Sequence, residues 1–172
     1  MHIIIDGYNL IRQSDSLRRF ERISLENGRR ELIRRISLYK KAKGHRITIV
    51  FDGWVNGSLM EERDREEGID IIYSRRGEKA DEVIKRMAKN GEEEIVVVTS
   101  DRSIADSVSR NGGVAIASPE FEVKMEGMSR DDYHPSDGEE QYGEMSGGTK
   151  KKGPSRRISK KERAVLKRTR KL

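Results

Sequence analysis

The sequence predicts an α/β fold, with a central, mainly parallel sheet of five strands and helices on both sides. Five short apolar runs are continuous rather than alternating, which is typical of strands buried on both faces of a sheet. Helical patterns separate most of these runs, so consecutive strands are expected to run parallel and to connect through crossovers. The predicted strands are Ile3–Ile5, Ile47–Phe51, Ile69–Tyr73, Ile95–Thr99 and Val114–Ala117.

Between the strands, apolar residues recur at the spacing of amphipathic helices. The first helix runs from about Glu26 to Lys43, and Gly44 supplies a stop signal. Further helices are predicted at Ala80–Lys89, at Arg102–Arg110 and from Ser118, where Pro119 takes the first helical position. The segment 55–68 is highly charged, and its structure stays ambiguous.

Charge is distributed unevenly along the 172 residues, whose net charge is +6. Residues 149–172 contain twelve Lys or Arg and one acidic residue, so they carry +11 and the remaining residues carry −5. Residues 129–148 are polar, acidic and rich in glycine, which is typical of a flexible linker. We therefore expect a folded body at 1–128, a linker at 129–148 and a disordered basic tail at 149–172. The tail is expected to become helical only when bound to a polyanionic partner.

Composition excludes several classes of protein and site. The chain has no cysteine, which excludes disulfides, thiolate zinc sites and cysteine nucleophiles. No apolar run approaches the roughly 20 residues that span a bilayer. The N-terminal segment has too short an apolar stretch for a signal peptide. We expect a soluble, cytoplasmic protein that does not bind membranes.

Aspartates follow three of the predicted strands. Asp6, Asp52 and Asp101 each come at the end of an apolar run, and Asp81 opens a helix with Glu82 beside it. Ligands of open parallel sheets bind at the carboxyl ends of the strands. If the first strand is central, Asp6, Asp81 and Asp101 are expected to converge there. Taken singly, each of these acids has an ordinary structural interpretation as a turn former or a helix cap.

Convergence of three carboxylates requires a cation or retained protons. Two carboxylates about 5 Å apart repel each other by roughly 3 kcal/mol at an effective dielectric near 20. Oxygen ligands without cysteine or clustered histidine suit Mg²⁺ or Mn²⁺ rather than zinc. Such an ion can orient and activate a water and stabilise charge on a phosphodiester.

Four motifs together resemble a known family. Asp6-Gly7-Tyr8-Asn9, Phe51-Asp52-Gly53, Lys79-Ala80-Asp81 and Thr99-Ser100-Asp101 are similar, in order and spacing, to the YacP-like branch of the NYN domains. These are bacterial members of the PIN-like nuclease superfamily, and the resemblance covers roughly residues 1–125. It implies a PIN-like, Rossmannoid three-layer fold for the body and a metal-dependent endoribonuclease activity.

The resemblance also implies roles for particular residues. Asp6, Asp81 and Asp101 would bind Mg²⁺ or Mn²⁺, and Asn9 would orient a ligand or the attacking water. Asp52 lies at the same edge and is a weaker candidate. Many relatives have a second aspartate where this chain has Glu82, a carboxylate of longer reach, so a difference is expected in the residues around the three ion ligands and not in the ligands themselves.

Five residues are candidates for contacting RNA. Arg75 and Arg76 precede the helix of Asp81, and Arg102 follows Asp101; each has solvated loop charge or helix initiation as its alternative. Trp54 and Tyr8 offer rings for base stacking, with burial as the alternative. The basic tail is expected to add affinity for RNA or for the ribosome.

Two other functions fit parts of the pattern. A catalytically silent RNA-binding module would have the same fold without turnover. A phospho-acceptor receiver domain would also have parallel strands with Asp6, Asp52 and Thr99 at their ends. The receiver is disfavoured because Asp81 would have no role, and because the last strand leads to Ser118-Pro119 instead of a lysine.

Overall fold

Six strands form one sheet in the computed structural model, which describes residues 1–53, 59–91, 94–131 and 160–172. The strands are β1 His2–Asp6, β2 Arg46–Phe51, β3 Glu62–Glu66, β4 Ile69–Tyr73, β5 Ile95–Val98 and β6 Val114–Ile116. Their order is β3-β4-β2-β1-β5-β6, and only the pair β3–β4 is antiparallel. The predicted α/β class and mainly parallel sheet are confirmed.

The sixth strand, β3, corrects the predicted count of five and occupies part of the ambiguous segment 55–68. Every residue of β3 is exposed, and none is apolar. It lies at the edge of the sheet and pairs only with β4, so no apolar face is required. Charged side chains on an edge strand discourage pairing with other chains. The apolar pattern that predicts the other strands is therefore missing here.

Helices cover both faces of the sheet. They are α1 Gly7–Gln13, α2 Asp15–Glu21, α3 Leu25–Lys43, α4 Ala80–Asn90, α5 Arg102–Arg110, α6 Ser118–Asp131 and α7 Lys160–Thr169. Residues of α1, α2, α3 and α6 pack in one hydrophobic cluster, and those of α4 and α5 pack in another on the opposite face. Of the helices described, none is long and apolar enough to cross a membrane.

Alternation along the strands decides which face each strand-end residue joins. In β1, Ile3 and Ile5 belong to the α1–α3 cluster, whereas Ile4 belongs to the α4–α5 cluster. Since successive side chains point to opposite faces, Asp6 continues the set of Ile4. Asp52 follows the set of Val50 in the same way. Both aspartates are thereby placed on the side of α4 and α5.

The order of the parallel strands distinguishes two doubly wound topologies. Counting only parallel strands, the order is third, second, first, fourth, fifth. This is the Rossmann order, whereas receiver domains of the flavodoxin-like type have the second strand outside the first, followed by the third. The receiver alternative therefore fails on topology. The order reverses between β1 and β5, and such switch points are where ligands bind.

Residues 160–172, the part of the predicted basic tail that the structure describes, contain α7 and contact the body; residues 149–159 lie outside the described residues, and helix formation of the tail on binding stays a prediction. Helix α7 packs on the body: Val165 is partly buried and Leu172 is 4% exposed, and both pack against the α1–α3 cluster. The hydroxyl of Tyr39 donates to the Leu172 carbonyl at 3.0 Å, and Arg168 pairs with Glu94 at 2.9 Å. Residues 129–131 of the predicted linker belong to α6, and its remaining residues, 132–148, lie outside the described residues.

Candidate active site at the carboxyl edge of the sheet

Asp6 is the most enclosed acid at this edge, with 9% of its surface exposed. It caps α1: the Asn9 amide donates to its Oδ1 at 3.2 Å, and the Thr99 hydroxyl donates to its Oδ2 at 3.2 Å. The next residue must be glycine, because a Cβ on Gly7 would lie 2.3 Å from the Phe51 ring. This close approach of the start of α1 to the end of β2 explains the glycine after Asp6.

Thr99 connects Asp6 to Asp101. Its hydroxyl oxygen accepts a hydrogen bond from the Asp101 amide at 3.1 Å, and its hydroxyl group donates a hydrogen bond to Asp6. The Asp101 carboxylate caps α5 by accepting from the Ile104 amide at 3.1 Å. Asp101 and Asp6 are thus linked through hydrogen bonds to a single residue, Thr99, across the β1–β5 switch point.

Asn9 fastens three segments at the same edge. Its side-chain oxygen accepts from the Ser100 amide at 2.9 Å and from the Ser118 hydroxyl at 2.8 Å. The backbone amide of Ser100 can only donate, so it fixes which end of the Asn9 amide is the oxygen. The family resemblance implies that Asn9 orients a ligand or water; in the structure its oxygen holds the loop after β5 and the start of α6.

Asp52 holds the first turn of α4. Its carboxylate accepts a hydrogen bond from the Ala80 amide at 2.7 Å. The N-cap residue of α4, Lys79, provides no side-chain cap, so Asp52 supplies the acceptor. The following Gly53 admits no side chain, since a Cβ there would lie 1.9 Å from the Ser74 carbonyl oxygen. The close approach of Gly53 to Ser74 fixes Asp52 against the helix that carries Asp81.

Asp81 lies in that first turn, with 36% of its side chain exposed. The Lys85 ammonium is 4.0 Å from Asp81 Oδ2 and donates to the Ser103 hydroxyl at 2.8 Å. Lys85 therefore ties the beginning of α4 to the beginning of α5. The neighbouring Glu82 is exposed and directs no described contact toward the site.

Burial dominates the electrostatics of this edge. It raises the pKa of Asp6 from 3.8 to about 6; the hydrogen bonds from Asn9 and Thr99 oppose the shift, and the charges of Asp81 and Asp52 add to it. The charges of Asp81 and Asp52 therefore lie within electrostatic reach of Asp6. Within the described ranges, however, no three acidic or histidine side chains lie close enough to hold one ion. Binding of one ion by Asp6, Asp81 and Asp101 together stays a prediction.

Four of the five RNA-contact candidates lie within the described residues. Arg75, Arg76 and Arg102 are exposed, and Arg75 pairs with Glu78 at 3.3 Å. Tyr8 is 7% exposed and its ring packs edge-on against Phe51 at 5.1 Å, so the burial interpretation holds and little ring surface remains for a base. Trp54 lies outside the described residues.

Several residues of the site are not candidates on sequence grounds alone. Thr99 and Ser118 are buried polar residues that join the acids and Asn9 to the surrounding loops. The sequence predicts Thr99 only as the end of a strand and Ser118 only as a helix cap. Arg12 and Arg29 have no sequence signal, because only the packing of α1 and α3 brings them to this edge.

A comparison with known families places this geometry. The model of the YacP-like NYN domain matches residues 3–171. The chain belongs to this YacP-like NYN family. The protein YacP of Bacillus subtilis (strain 168) is 28% identical over 131 residues, which cover 74% of this chain and 76% of that protein.

Solved structures agree with this assignment. A crystal structure of Rae1 (YacP) from Bacillus subtilis is 26% identical, covers 77% of each chain and superposes with a TM-score of 0.64. A mutant form of the same protein gives 25% identity, coverage of 76% and 77%, and the same TM-score.

Membership of the family has two consequences. NYN domains belong to the PIN-like nuclease superfamily, so this YacP-like chain is nuclease-like and RNA is the substrate class that its family indicates. The family match also extends to residue 171, well beyond the 1–125 over which the motifs resemble the family. The packed helix α7 is thus included in the region that the family model spans.

Proposed function

We propose that this YacP-like NYN protein is a metal-dependent endoribonuclease that hydrolyses RNA phosphodiester bonds. The observation that carries the proposal is Asp6, a buried carboxylate at the topological switch point. Its pKa is raised to about 6, and Asp81 and Asp52 lie within electrostatic reach. Perturbed acids in such a position are typical of catalytic sites.

The donor chemistry at this edge fits a hard divalent cation. All candidate ligands are carboxylate oxygens, which suit Mg²⁺ or Mn²⁺. Mg²⁺ is commonly bound by one or two carboxylates together with waters and substrate phosphates, so three converging acids are not required. Asp6 and Asp81 are the coupled pair that would hold the ion, and Asp101 would join them through Thr99. A bound ion would supply an activated water and stabilise charge on the phosphodiester.

The protein's own residues have more limited tasks. Above a pH of about 6, Asp6 is the carboxylate that an ion or a phosphodiester would meet. Thr99 holds one oxygen of Asp6 in place, and Asp52 holds the start of α4. Asn9 keeps the loop after β5 against α1, so the two sides of the switch point keep their spacing.

One observation favours the second candidate, an RNA-binding module without turnover. Among the residues that the structure describes, no three acids are grouped closely enough to hold an ion. A silent module would bind RNA in the presence of Mg²⁺ and leave it intact.

Cleavage of labelled RNA in Mg²⁺, Mn²⁺ or EDTA separates the two candidates. We expect divalent-dependent cleavage by the wild-type protein and its loss in Asp81→Asn and in Asp101→Asn. The control is Asp106→Asn, which removes an exposed acid from α5 and should leave cleavage unchanged. Full activity of Asp101→Asn would remove that residue from the site. Binding without cleavage by the wild-type protein would support the silent module.

The basic tail suggests a larger partner. We infer that RNA, free or within a ribosome, is held in part by the charge of residues 149–172, which is +11. Co-sedimentation with ribosomes at increasing salt is the test: retention at low salt and release at high salt are expected. Absence from the ribosomal pellet at every salt concentration would restrict the partner to free RNA.

A further inference from the structure

A group of aromatic rings lies at the same edge of the sheet as the acids but on its other face. Phe51, at the end of β2, packs against Tyr8 with ring centroids 5.1 Å apart and stacks on Tyr73 at 5.7 Å. Phe51 belongs to the α1–α3 cluster, and Tyr73 packs against that cluster. Asp6 and Asp52, by contrast, continue the sets that face α4 and α5. The edge is therefore acidic on one face and aromatic on the other.

Two arginines are fixed on these rings. The Arg29 guanidinium lies 5.5 Å from the centre of the Tyr73 ring and donates to the Tyr8 hydroxyl at 3.5 Å. The Arg12 guanidinium lies 5.4 Å from the centre of the Tyr8 ring. Such cation–π contacts hold a guanidinium over the face of a ring. We call Tyr8, Arg12, Arg29 and Tyr73 the arginine–tyrosine cluster.

The arginine–tyrosine cluster is close to the candidate catalytic acids. Tyr8 is two residues after Asp6, and Asp52 directly follows Phe51, the ring between the two tyrosines. Burial is the main cause of the raised pKa of Asp6 and of Tyr8, and the charge of Asp52 adds to both shifts, so this carboxylate lies within electrostatic reach of both faces of the edge. A strand of RNA crossing the edge would meet the acids and the arginines in succession.

The charge of the body makes such a feature necessary for binding RNA at this edge. Outside residues 149–172 the chain carries −5, and the candidate site itself is built of carboxylates. A divalent ion would compensate the phosphate under attack, but the phosphates on either side would still be repelled. A planar guanidinium donates two parallel hydrogen bonds to a phosphate, a geometry that a lysine ammonium lacks.

We propose that Arg12 and Arg29 form a phosphate-binding subsite for single-stranded RNA, adjacent to the phosphodiester that lies at Asp6. The ligand is the sugar–phosphate backbone, since the tyrosine rings are covered by the protein and by the guanidinium groups. The subsite rests on the proposed function only for the position of the cleaved bond. Its affinity for RNA does not require turnover.

Arg30, another arginine of α3, provides a matched comparison. Arg30 is adjacent to Arg29, but it is exposed and pairs with Glu26 at 2.8 Å on the outer surface of the helix. Arg12, in α1, is the member of the arginine–tyrosine cluster that can be changed at little structural cost. Of its side chain 63% is exposed, and its ion pair with Glu21 is long, at 3.5 Å. Arg29 is less exposed, so its replacement needs a check on folding.

The test is fluorescence anisotropy with a labelled single-stranded RNA in EDTA, in an Asp81→Asn background that prevents cleavage. We expect Arg12→Gln and Arg29→Gln each to weaken Kd about tenfold at low salt. Each should also flatten the slope of log K against log salt by about 0.7. Arg29→Lys should retain the slope but regain only part of the affinity, and Arg30→Gln should change neither quantity. Melting temperatures are measured for every variant.

Unchanged affinity and slope in both glutamine variants would overturn the subsite. A weaker affinity with an unchanged salt slope would also overturn the subsite. The number of phosphates neutralised by the protein would then be unchanged, so the loss of affinity would be a structural effect. If Arg29→Gln lowers the melting temperature, the comparison of Arg12→Gln with Arg30→Gln decides. A wild-type protein that binds RNA through these arginines but never cleaves it would refute the proposed function and leave the subsite standing.

Discussion

At the scale of single residues, the site depends on polar side chains that are buried but satisfied. No buried side-chain nitrogen or oxygen in the described part of the chain is without a hydrogen-bond partner. Asp6 accepts two hydrogen bonds and still has its pKa raised to about 6, because burial outweighs them. The acids themselves are predictable from their positions after strands. Thr99, which joins two of them, is not, since a threonine at a strand end is ordinary and its partners depend on the register of β1 against β5.

The raised pKa of Asp6 predicts how stability depends on pH in the metal-free protein. The folded state holds the Asp6 proton up to a pH of about 6, whereas the unfolded chain releases it near 3.8. Stability should therefore fall as pH rises through this window, by about 3 kcal/mol in all. Asp6→Asn should remove the loss, so its melting temperature should exceed that of the wild type at pH about 7 and approach it near pH 4.

Thermal unfolding in EDTA across this pH range is the measurement. Adding Mg²⁺ at neutral pH should then stabilise the wild-type protein and not Asp6→Asn, since ligand binding to the folded state adds to its stability. A constant difference in melting temperature at all pH values would contradict the shift assigned to Asp6.

Thr99 is predicted to position the acids of the site. Thr99→Val keeps the shape but leaves Asp6 Oδ2 and the Asp101 amide without this partner, at a cost of about 1–3 kcal/mol in stability. Loss of a partner that orients a ligand typically lowers metal affinity or activity about 10–100-fold. Mg²⁺ titrations of cleavage should show this loss, and Thr99→Ser should restore activity.

A second buried threonine controls for the stability cost. Thr48 is 1% exposed and bonds to His2 Nε2 at 2.8 Å, away from the carboxyl edge. Thr48→Val should lower stability without changing the Mg²⁺ dependence of cleavage. If both threonine variants affect activity equally, Thr99 has only a structural role.

At the scale of elements, predictability depends on whether a segment buries an apolar face. Each of the five parallel strands does, and the aspartates after β1, β2 and β5 can be assigned to one edge from that pattern alone. The exposed β3 carries no such signal. Helices α1 and α2 are seven residues each and are too short to show a clear period, although Asp6 and Ser14 cap them. The arginine–tyrosine cluster depends on how α1 packs on β2 and how α3 packs on β4, which periodicity does not give.

The β2–α4 connection is predicted to be sensitive to a single methyl group. Gly53→Ala would place a Cβ 1.9 Å from the Ser74 carbonyl oxygen, so the backbone must shift and Asp52 must leave the Ala80 amide. We expect a loss of about 1–3 kcal/mol in the free energy of unfolding and a large loss of cleavage. Urea unfolding and the RNA cleavage assay measure the two effects.

Gly127→Ala is the matched control in a helix. A Cβ there meets no described atom within 4 Å, so alanine should stabilise α6 by about 0.5–1 kcal/mol and leave cleavage intact. Tolerance of Gly53→Ala with normal activity would show that the connection can adjust and that Asp52 does not need its present position.

At the scale of the whole molecule, the two ends of the sheet carry different features. The acids and the arginine–tyrosine cluster lie at the carboxyl ends of the strands. Helix α7 contacts the opposite end: Arg168 bonds to Glu94, just before β5, and to the Gly112 carbonyl, just before β6. From Glu94 to Thr99 the chain advances about 16 Å at 3.3 Å per residue. The packed part of the basic tail is therefore remote from the acids and is expected to contribute affinity without chemistry.

Structural and electrostatic contributions of the tail can be separated by position. Leu172 is 4% exposed in the α1–α3 cluster, so Leu172→Ala should cost about 2–5 kcal/mol in stability. Lys167, in α7, and Arg170, directly after it, are both exposed. The double variant Lys167→Gln, Arg170→Gln should keep the melting temperature of the wild type. It should weaken RNA binding and flatten the slope of log K against log salt by about 0.7 for each phosphate that no longer meets a cation.

Deleting residues 149–172 would confuse these contributions, because it removes Leu172 from the core together with the charge. The double glutamine variant avoids this, and its titration at several salt concentrations distinguishes three roles for the exposed face of α7. A weaker and shallower salt dependence, with unchanged turnover of a short RNA at saturation, supports an RNA anchor. An unchanged slope shows that this face of α7 does not bind RNA. Tighter binding shows that its charge opposes binding, as an inhibitory contact with acidic residues of the same chain would.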